Sequence, residues 1–238
     1  MRRYRPRPTL ESRRHAWWGL LAGFLFASEF VLIYVGLQWT EASRGAVFIY
    51  TAPFFVALGA RWLLPEEKLS RVQWFGLLLS FIGVALALGV PRAATSPSAA
   101  LGDLMLLAAG ALWGATTLAI KASPLRSTSP EKVLIYQLAV SAAVGGLGAV
   151  VLGEQLGTST TQAISALLYQ TVWVAGITFL LWFRLLTLYP ASQLQAGTSM
   201  SPLFGVLGAF ILLGEPVSVS FVFATILVVA GVVLVNRR

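Results

Sequence analysis

The sequence predicts an all-α polytopic membrane protein, with eight transmembrane helices forming an incomplete inverted five-helix repeat bundle. Three observations carry this. Of its 238 residues 57% are hydrophobic and 11% charged, and the mean hydropathy is +0.79, far too apolar for a soluble domain. Apolar runs of about 20 residues recur along the chain, the length that spans a hydrocarbon core of roughly 30 Å. The stretch at 191–213, ASQLQAGTSMSPLFGVLGAFILL, also has a gapless twin at 42–64, ASRGAVFIYTAPFFVALGARWLL. Ala42, Ser43, Pro53, Phe55, Leu58, Gly59, Ala60, Leu63 and Leu64 recur as Ala191, Ser192, Pro202, Phe204, Leu207, Gly208, Ala209, Leu212 and Leu213, an offset of 149 (Ala42 to Ala191).

Residues 1–15 are basic and proline-containing and read as a cytoplasmic tail. The run that follows is too long for a signal peptide and lacks a small-residue cleavage site. The first span covers 16–38, with Trp17 and Trp18 at one interface and Trp39 at the other, as aromatic belts require. The second is 42–64, and PEEKLSR leads to the third at 72–90. An outer loop, 91–100, rich in Pro, Ala and Ser, precedes the fourth at 101–121. SPEK opens the fifth, which ends near Leu152, with Ser129 as N-cap and Pro130 at the first helical position. The sixth covers 163–188, the seventh 191–213 and the eighth 217–235.

A one-residue gap in the loop changes the offset to 148, pairing Glu67 with Glu215, Ser70 with Ser218 and Gly83 with Gly231. The second span thus matches the seventh and the third the eighth. Five spans separate equivalents, an odd number, so equivalent helices cross in opposite directions and the repeats are inverted. The first repeat, 16–90, holds three helices and the second, 101–236, five. Partners for the fourth and fifth spans would lie before Met1, so by its own symmetry the chain is expected to lack two N-terminal spans. A misplaced start, a fragment and a natural short form are all open.

The net charge of +8 invites a nucleic-acid reading, which the distribution rejects. With a cytoplasmic N-terminus, all of the 17 Lys and Arg except Arg44 and Arg92 fall inside or at the inner interface, which is the positive-inside pattern. Both termini are then cytoplasmic. Arg in preference to Lys, with abundant Ala and Gly, suggests a GC-rich bacterium and hence a multi-pass protein of the bacterial inner membrane.

Gln195, Thr198, Ser199 and Pro202 fall at i, i+3, i+4 and i+7 and make one face of the seventh span polar. In lipid that face must turn onto a neighbour or a cavity. Pro53 and Pro202 each remove a helical hydrogen bond and release the carbonyls of Ile49 and Thr198, and Tyr50 adds a hydroxyl beside the first of these. Two kinked spans at matching positions of two repeats point to a substrate site. Glu29 lies about 20 Å along the first span. A charged side chain at mid-helix costs about 2.5–3.5 kcal/mol on insertion scales, so it needs a partner, a cavity or a proton. It is either a protonatable or cation-pairing site, or a protonated packing residue. Its repeat equivalent is Thr178.

On the fourth span Gly110, Trp113, Gly114, Thr117 and Lys121 share a face. Gly110/Gly114 and Gly19/Gly23 read as close-packing GxxxG pairs. Trp113, away from the belts, either stacks on a substrate or fills the core. Thr171, Thr178 and Trp182 share a face of the sixth span at i, i+7 and i+11 and are candidates for the same cavity. Lys121 and Arg184 snorkel to the inner interface. Asp103 and Glu215 lie near span starts, where the helix dipole accounts for them.

Other chemistries lack their parts. There is no cysteine, which removes disulfides, thiolate metal sites and cysteine nucleophiles. No GxxxxGK[ST] or HExxH is present, His15 is the single histidine, and no carboxylate cluster could hold a divalent metal. We therefore expect no enzyme activity, no catalytic residue, no metal and no cofactor.

The repeat, with GLQWTEASRGAVFIYTAPFFVALGA, GDLMLLAAGALWGATTLAIK and LYPASQLQAGTSMSPLFGVLGAFILLGEPVS, resembles the EamA-type drug/metabolite transporter family over nearly the whole chain. The resemblance implies ten helices in two inverted repeats and a central cavity for small metabolites such as amino acids or drugs, many members being exporters. This chain departs in lacking two helices that would help line the cavity, and in reading PEEKLS where its second copy reads GEPVS. The expected partners are the lipid bilayer and a small-molecule metabolite, with no nucleic acid and with a homodimer left open. A non-transporting truncated form, or a membrane subunit acting through helix association, is the alternative.

Overall fold

A computed structural model describes residues 10–89, 96–154, 157, 160–213 and 219–237. Among the described residues the secondary structure is entirely helical. In chain order the helices are α1 (Leu10–Gly36), α2 (Ala42–Ile49), α3 (Ala52–Leu63), α4 (Arg71–Ala87), α5 (Pro97–Lys121), α6 (Pro130–Leu152), α7 (Thr161–Leu168), a π-helical stretch (Tyr169–Thr178), α8 (Phe179–Leu188), α9 (Ala191–Gly197), α10 (Ser201–Leu213) and α11 (Val219–Val235). Among the described residues, five segments are long and apolar enough to cross a membrane: Arg13–Gly36, Arg44–Leu63, Pro97–Lys121, Pro130–Leu152 and Thr161–Leu188. With the shorter α4 and α11 and the interrupted α9–α10, the eight expected spans are accounted for. Residues 1–9 of the basic tail, the first half of the outer loop and Glu215 lie outside the described residues, and the tail's remaining residues, Leu10 to His15, are helical as the start of α1.

Two compact units arise. One holds Met1–Ala27 with Ala119–Leu188, the other Ser28–Leu118 with Tyr189–Arg238, so they cut across the sequence repeats. In the first unit the glycine pair of α1 closes on α6. A Cβ on Gly23 would lie 2.8 Å from the Tyr136 carbonyl oxygen, and one on Gly19 2.5 Å from the Tyr136 ring. Lys121 Nζ donates to the Leu186 carbonyl at 2.6 Å, holding the end of α5 to α8. Phe26 meets Phe179 edge to face, ring centroids 5.4 Å apart.

The second unit is built on α4 against α11. Ser70 and Gln73 form a reciprocal capping box at the start of α4, satisfying two otherwise orphaned donors. Gln73 Nε2 also donates to the carbonyls of Val235 (2.9 Å) and Arg237 (3.0 Å) at the far end of α11. Between these ends the backbones touch through glycine. A Cβ on Gly83 would sit 2.8 Å from the Ala224 oxygen, and one on Gly231 2.5 Å from the Gly76 oxygen. At the 148-residue offset Gly83 maps onto Gly231 and Gly76 onto Ala224, so each contact is the image of the other. That is the signature of a two-fold, self-complementary interface. Gly76 faces the end of α11 and Gly83 its middle, so the two helices run antiparallel, as inversion demands.

The glycine pair of α5 closes on the second span in the same manner. Cβ atoms on Gly110 and Gly114 would approach the Ile49 oxygen at 3.0 Å and the Phe55 Cβ at 2.9 Å. Asp103 lies beyond the first turn of α5, because that helix begins at Pro97 rather than near Leu101. Its dipole position is therefore not what holds it. It accepts from Thr40 Oγ1 at 2.6 Å and from Arg44 Nε at 3.3 Å, and pairs with Arg44 Nη2.

Candidate functional site

The second unit gathers most of the predicted polar residues around two helix interruptions. In the second span the chain breaks at Tyr50 and Thr51, between α2 and α3. The Thr51 N–H bonds back to Phe48, three residues away, and its hydroxyl donates to the same carbonyl at 2.5 Å. Pro53 follows in the first turn of α3 and is buried, a position where its missing N–H costs nothing. In the seventh span α9 passes through a 3-10 turn, Thr198–Met200, into α10, which carries Pro202 in its first turn. Proline chemistry thus breaks each span just before the proline rather than bending a continuous helix. The released Ile49 carbonyl is met by Gly110. At the second break Thr198 Oγ1 donates to the Gln195 carbonyl at 2.7 Å. Tyr50, half-buried, lies beside the Ser201 side chain, which sets one break next to the other.

Gln195 and Thr117 come together from α9 and α5. Gln195 is completely buried, Thr117 1% exposed, and the hydroxyl donates to Gln195 Oε1 at 3.5 Å. Gln195 Nε2 has no partner. Ser199, one turn further, is buried, as is Ser192, whose hydroxyl is also unpartnered. In an apolar interior an unpaired amide costs roughly 1–3 kcal/mol, which makes Gln195 the candidate for a ligand contact. Glu29, 6% exposed, belongs to the same unit, and its Oε2 is buried without a partner. Trp113 is half-buried on α5. Ala191 N–H donates to Glu67 Oε2 at 2.6 Å, which anchors the start of α9 beside the end of α3.

Thr171, Thr178 and Trp182 belong to the other unit. Thr171 and Thr178 are exposed and Trp182 half-buried. The stretch Tyr169–Thr178 is π-helical, and its i→i+5 bonding widens the turn. Residues seven apart therefore no longer return to one face, and Thr178 Oγ1 turns back to the Trp173 carbonyl at 3.0 Å.

The sequence reading passed over Gln137 and Ser141 on α6. Gln137 is completely buried, and its Nε2 and Oε1 and the Ser141 hydroxyl all lack partners. The available signal was a polar i, i+4 pair inside an apolar run.

The model of the EamA-like transporter family matches residues 3–89 and 100–237. Uncharacterized transporter YoaV of Bacillus subtilis (strain 168) is 24% identical over 83% of this chain and 67% of its own length. YvbV of the same organism is 24% identical over 86% and 66%, so the chain spans about two thirds of the length of these relatives. A Pseudomonas aeruginosa relative, Uncharacterized protein PA1977, is 29% identical over 97% of this chain and 76% of its own. A solved crystal structure shares the fold at a TM-score of 0.80 and 20% identity, covering 92% of this chain and 75% of that one. With the family model matching both halves, the chain belongs to the EamA-like transporter family.

Proposed function

We propose that the protein is a secondary transporter that moves a small organic metabolite, such as an amino acid or a drug-like amphiphile, out of a bacterial cell. It works by alternating access in the inner membrane, with both termini cytoplasmic. The observation that carries this reading is the Gln195–Thr117 pair at the break of the seventh span. A fully buried carboxamide with a free Nε2, at the end of a short helix in lipid, is a group kept for a ligand. The paired breaks at Pro53 and Pro202 supply the discontinuous helices that such sites use. Tyr50, Ser199 and Thr198 add neighbouring hydroxyls, and Trp113 is an aromatic surface for stacking. Glu29, with one unpartnered carboxylate oxygen, is assigned coupling or recognition of positive charge.

Reconstitution into liposomes with an imposed proton gradient tests this. The wild type should move members of an amino-acid and amphiphile panel with a pH-dependent rate. Glu29→Gln should flatten that dependence and lower the driven rate at least ~10-fold, the scale set by losing one charged buried contact. An unchanged pH profile removes Glu29 from coupling.

A second reading, a membrane subunit acting through helix association, is favoured by one feature. The most apolar stretch within Thr161–Leu188 contains no buried residue, leaving its surface, apart from the packed end at Phe183 and Leu186, for a neighbour, another copy included. It gains if the liposomes show no flux while the chain co-purifies with a stoichiometric partner.

A further inference from the structure

Within the first unit, α6 presents two adjacent stripes. Tyr136 and Val140 receive the glycines of α1. Gln137 and Ser141, about 100° further round, are separated by one turn. Gln137 lies seven residues past Pro130, about 10 Å into the helix, too deep to reach interfacial water. It is fully buried, and neither its amide nitrogen nor its oxygen has a partner; nor has the Ser141 hydroxyl. A carboxamide offers two donors and one acceptor, and a hydroxyl one donor and two lone pairs. All are neutral. Val133 and Leu134, one turn before Gln137 on α6, are buried and apolar, so a net charge brought here would lose its hydration beside them.

We propose that Gln137 and Ser141 form a polar subsite for a neutral carboxamide edge on the transported molecule. The ligand's C=O accepts from Gln137 Nε2 while one of its N–H groups donates to Gln137 Oε1, and the second N–H meets Ser141 Oγ. A single hydroxyl can donate to Gln137 Oε1 and accept from Nε2 but has no second donor left for Ser141 Oγ, and a carboxylate cannot donate. An ammonium cannot accept. The proposal rests on the transport reading, since a ligand must have a way in, and it names one part of the substrate's chemistry.

The test titrates the full chain in lipid nanodiscs with four ring-matched probes, benzamide, benzyl alcohol, benzoate and benzylamine, reading tryptophan fluorescence and the shift in unfolding midpoint. Benzamide should bind saturably and raise the midpoint, ahead of the other three by ~10-fold or more, the worth of one or two buried hydrogen bonds. Gln137→Leu should abolish the benzamide response, and Ser141→Ala should weaken it several-fold. The ligand-free midpoint of Gln137→Leu should equal or exceed the wild type, because an unpaired buried amide has been replaced by an apolar side chain of similar size. Equal binding of all four probes, no benzamide response, a response unchanged in both variants, or failure of Gln137→Leu to fold would each overturn the proposal. Binding is read without flux. Loss of the subsite therefore leaves the transport reading standing, while absent flux with intact benzamide binding removes transport alone.

Discussion

Inside a bilayer the useful distinction among buried polar residues is whether their hydrogen bonds are made. Asp103 has its partners in Thr40 and Arg44, and Glu67 has the Ala191 N–H. Removing one partner of such a set strands the other, so these positions govern stability. Glu67→Ala should cost about 1–2 kcal/mol, the usual worth of an acceptor at a helix start, measured by denaturation in mixed micelles. Ser192, buried with an unpartnered hydroxyl, behaves oppositely. Ser192→Ala should leave stability within about 0.5 kcal/mol of the wild type or raise it. A large loss there would mean that the hydroxyl is bonded after all.

At the scale of the elements, glycine decides how near two helices come. The reciprocal contacts of Gly83 and Gly231 put a new Cβ against backbone oxygen, which has no rotamer with which to yield. Gly231→Ala and Gly83→Ala should therefore each destabilise by about 1–3 kcal/mol, and by similar amounts, since one contact is the image of the other. Gly145 and Gly148 on α6 have nothing within 4 Å. Alanine there should be neutral or add up to about 1 kcal/mol through helix propensity. This also shows what a sequence can convey. The eight spans were legible because hydropathy registers composition over 20 residues, and inversion was legible from counting spans between equivalents. The breaks were legible only as prolines; their form, ending each helix before Pro53 and Pro202, depends on local hydrogen bonds that no window sees. The π-helical stretch from Tyr169 to Thr178 was invisible, because a shift from i→i+4 to i→i+5 bonding leaves no mark on hydropathy. Thr171 and Thr178 were placed by the wrong pitch. Gln137 is not legible from the internal repeat, because at that offset it has no equivalent within the chain.

For the whole molecule, the strongest asymmetry is of charge rather than shape. If the N-terminus is cytoplasmic, only Arg44 and Arg92 among the 17 basic residues lie outside, and Arg44 is tied up by Asp103. Translocating the other face would require moving the basic loops through lipid at several kcal/mol per charge, so a single orientation should dominate. The absence of cysteine from the sequence makes this directly measurable. Ser98, exposed near the start of α5, and Ser127, exposed between α5 and α6, sit at opposite ends of one span. In right-side-out vesicles a membrane-impermeant maleimide should label Ser98→Cys readily and Ser127→Cys only after permeabilisation. The reverse pattern would invert the topology and turn the proposed exporter into an importer by geometry. Equal labelling of both sites in intact vesicles would indicate a dual-topology chain, in which inward and outward copies coexist and charge no longer selects a direction.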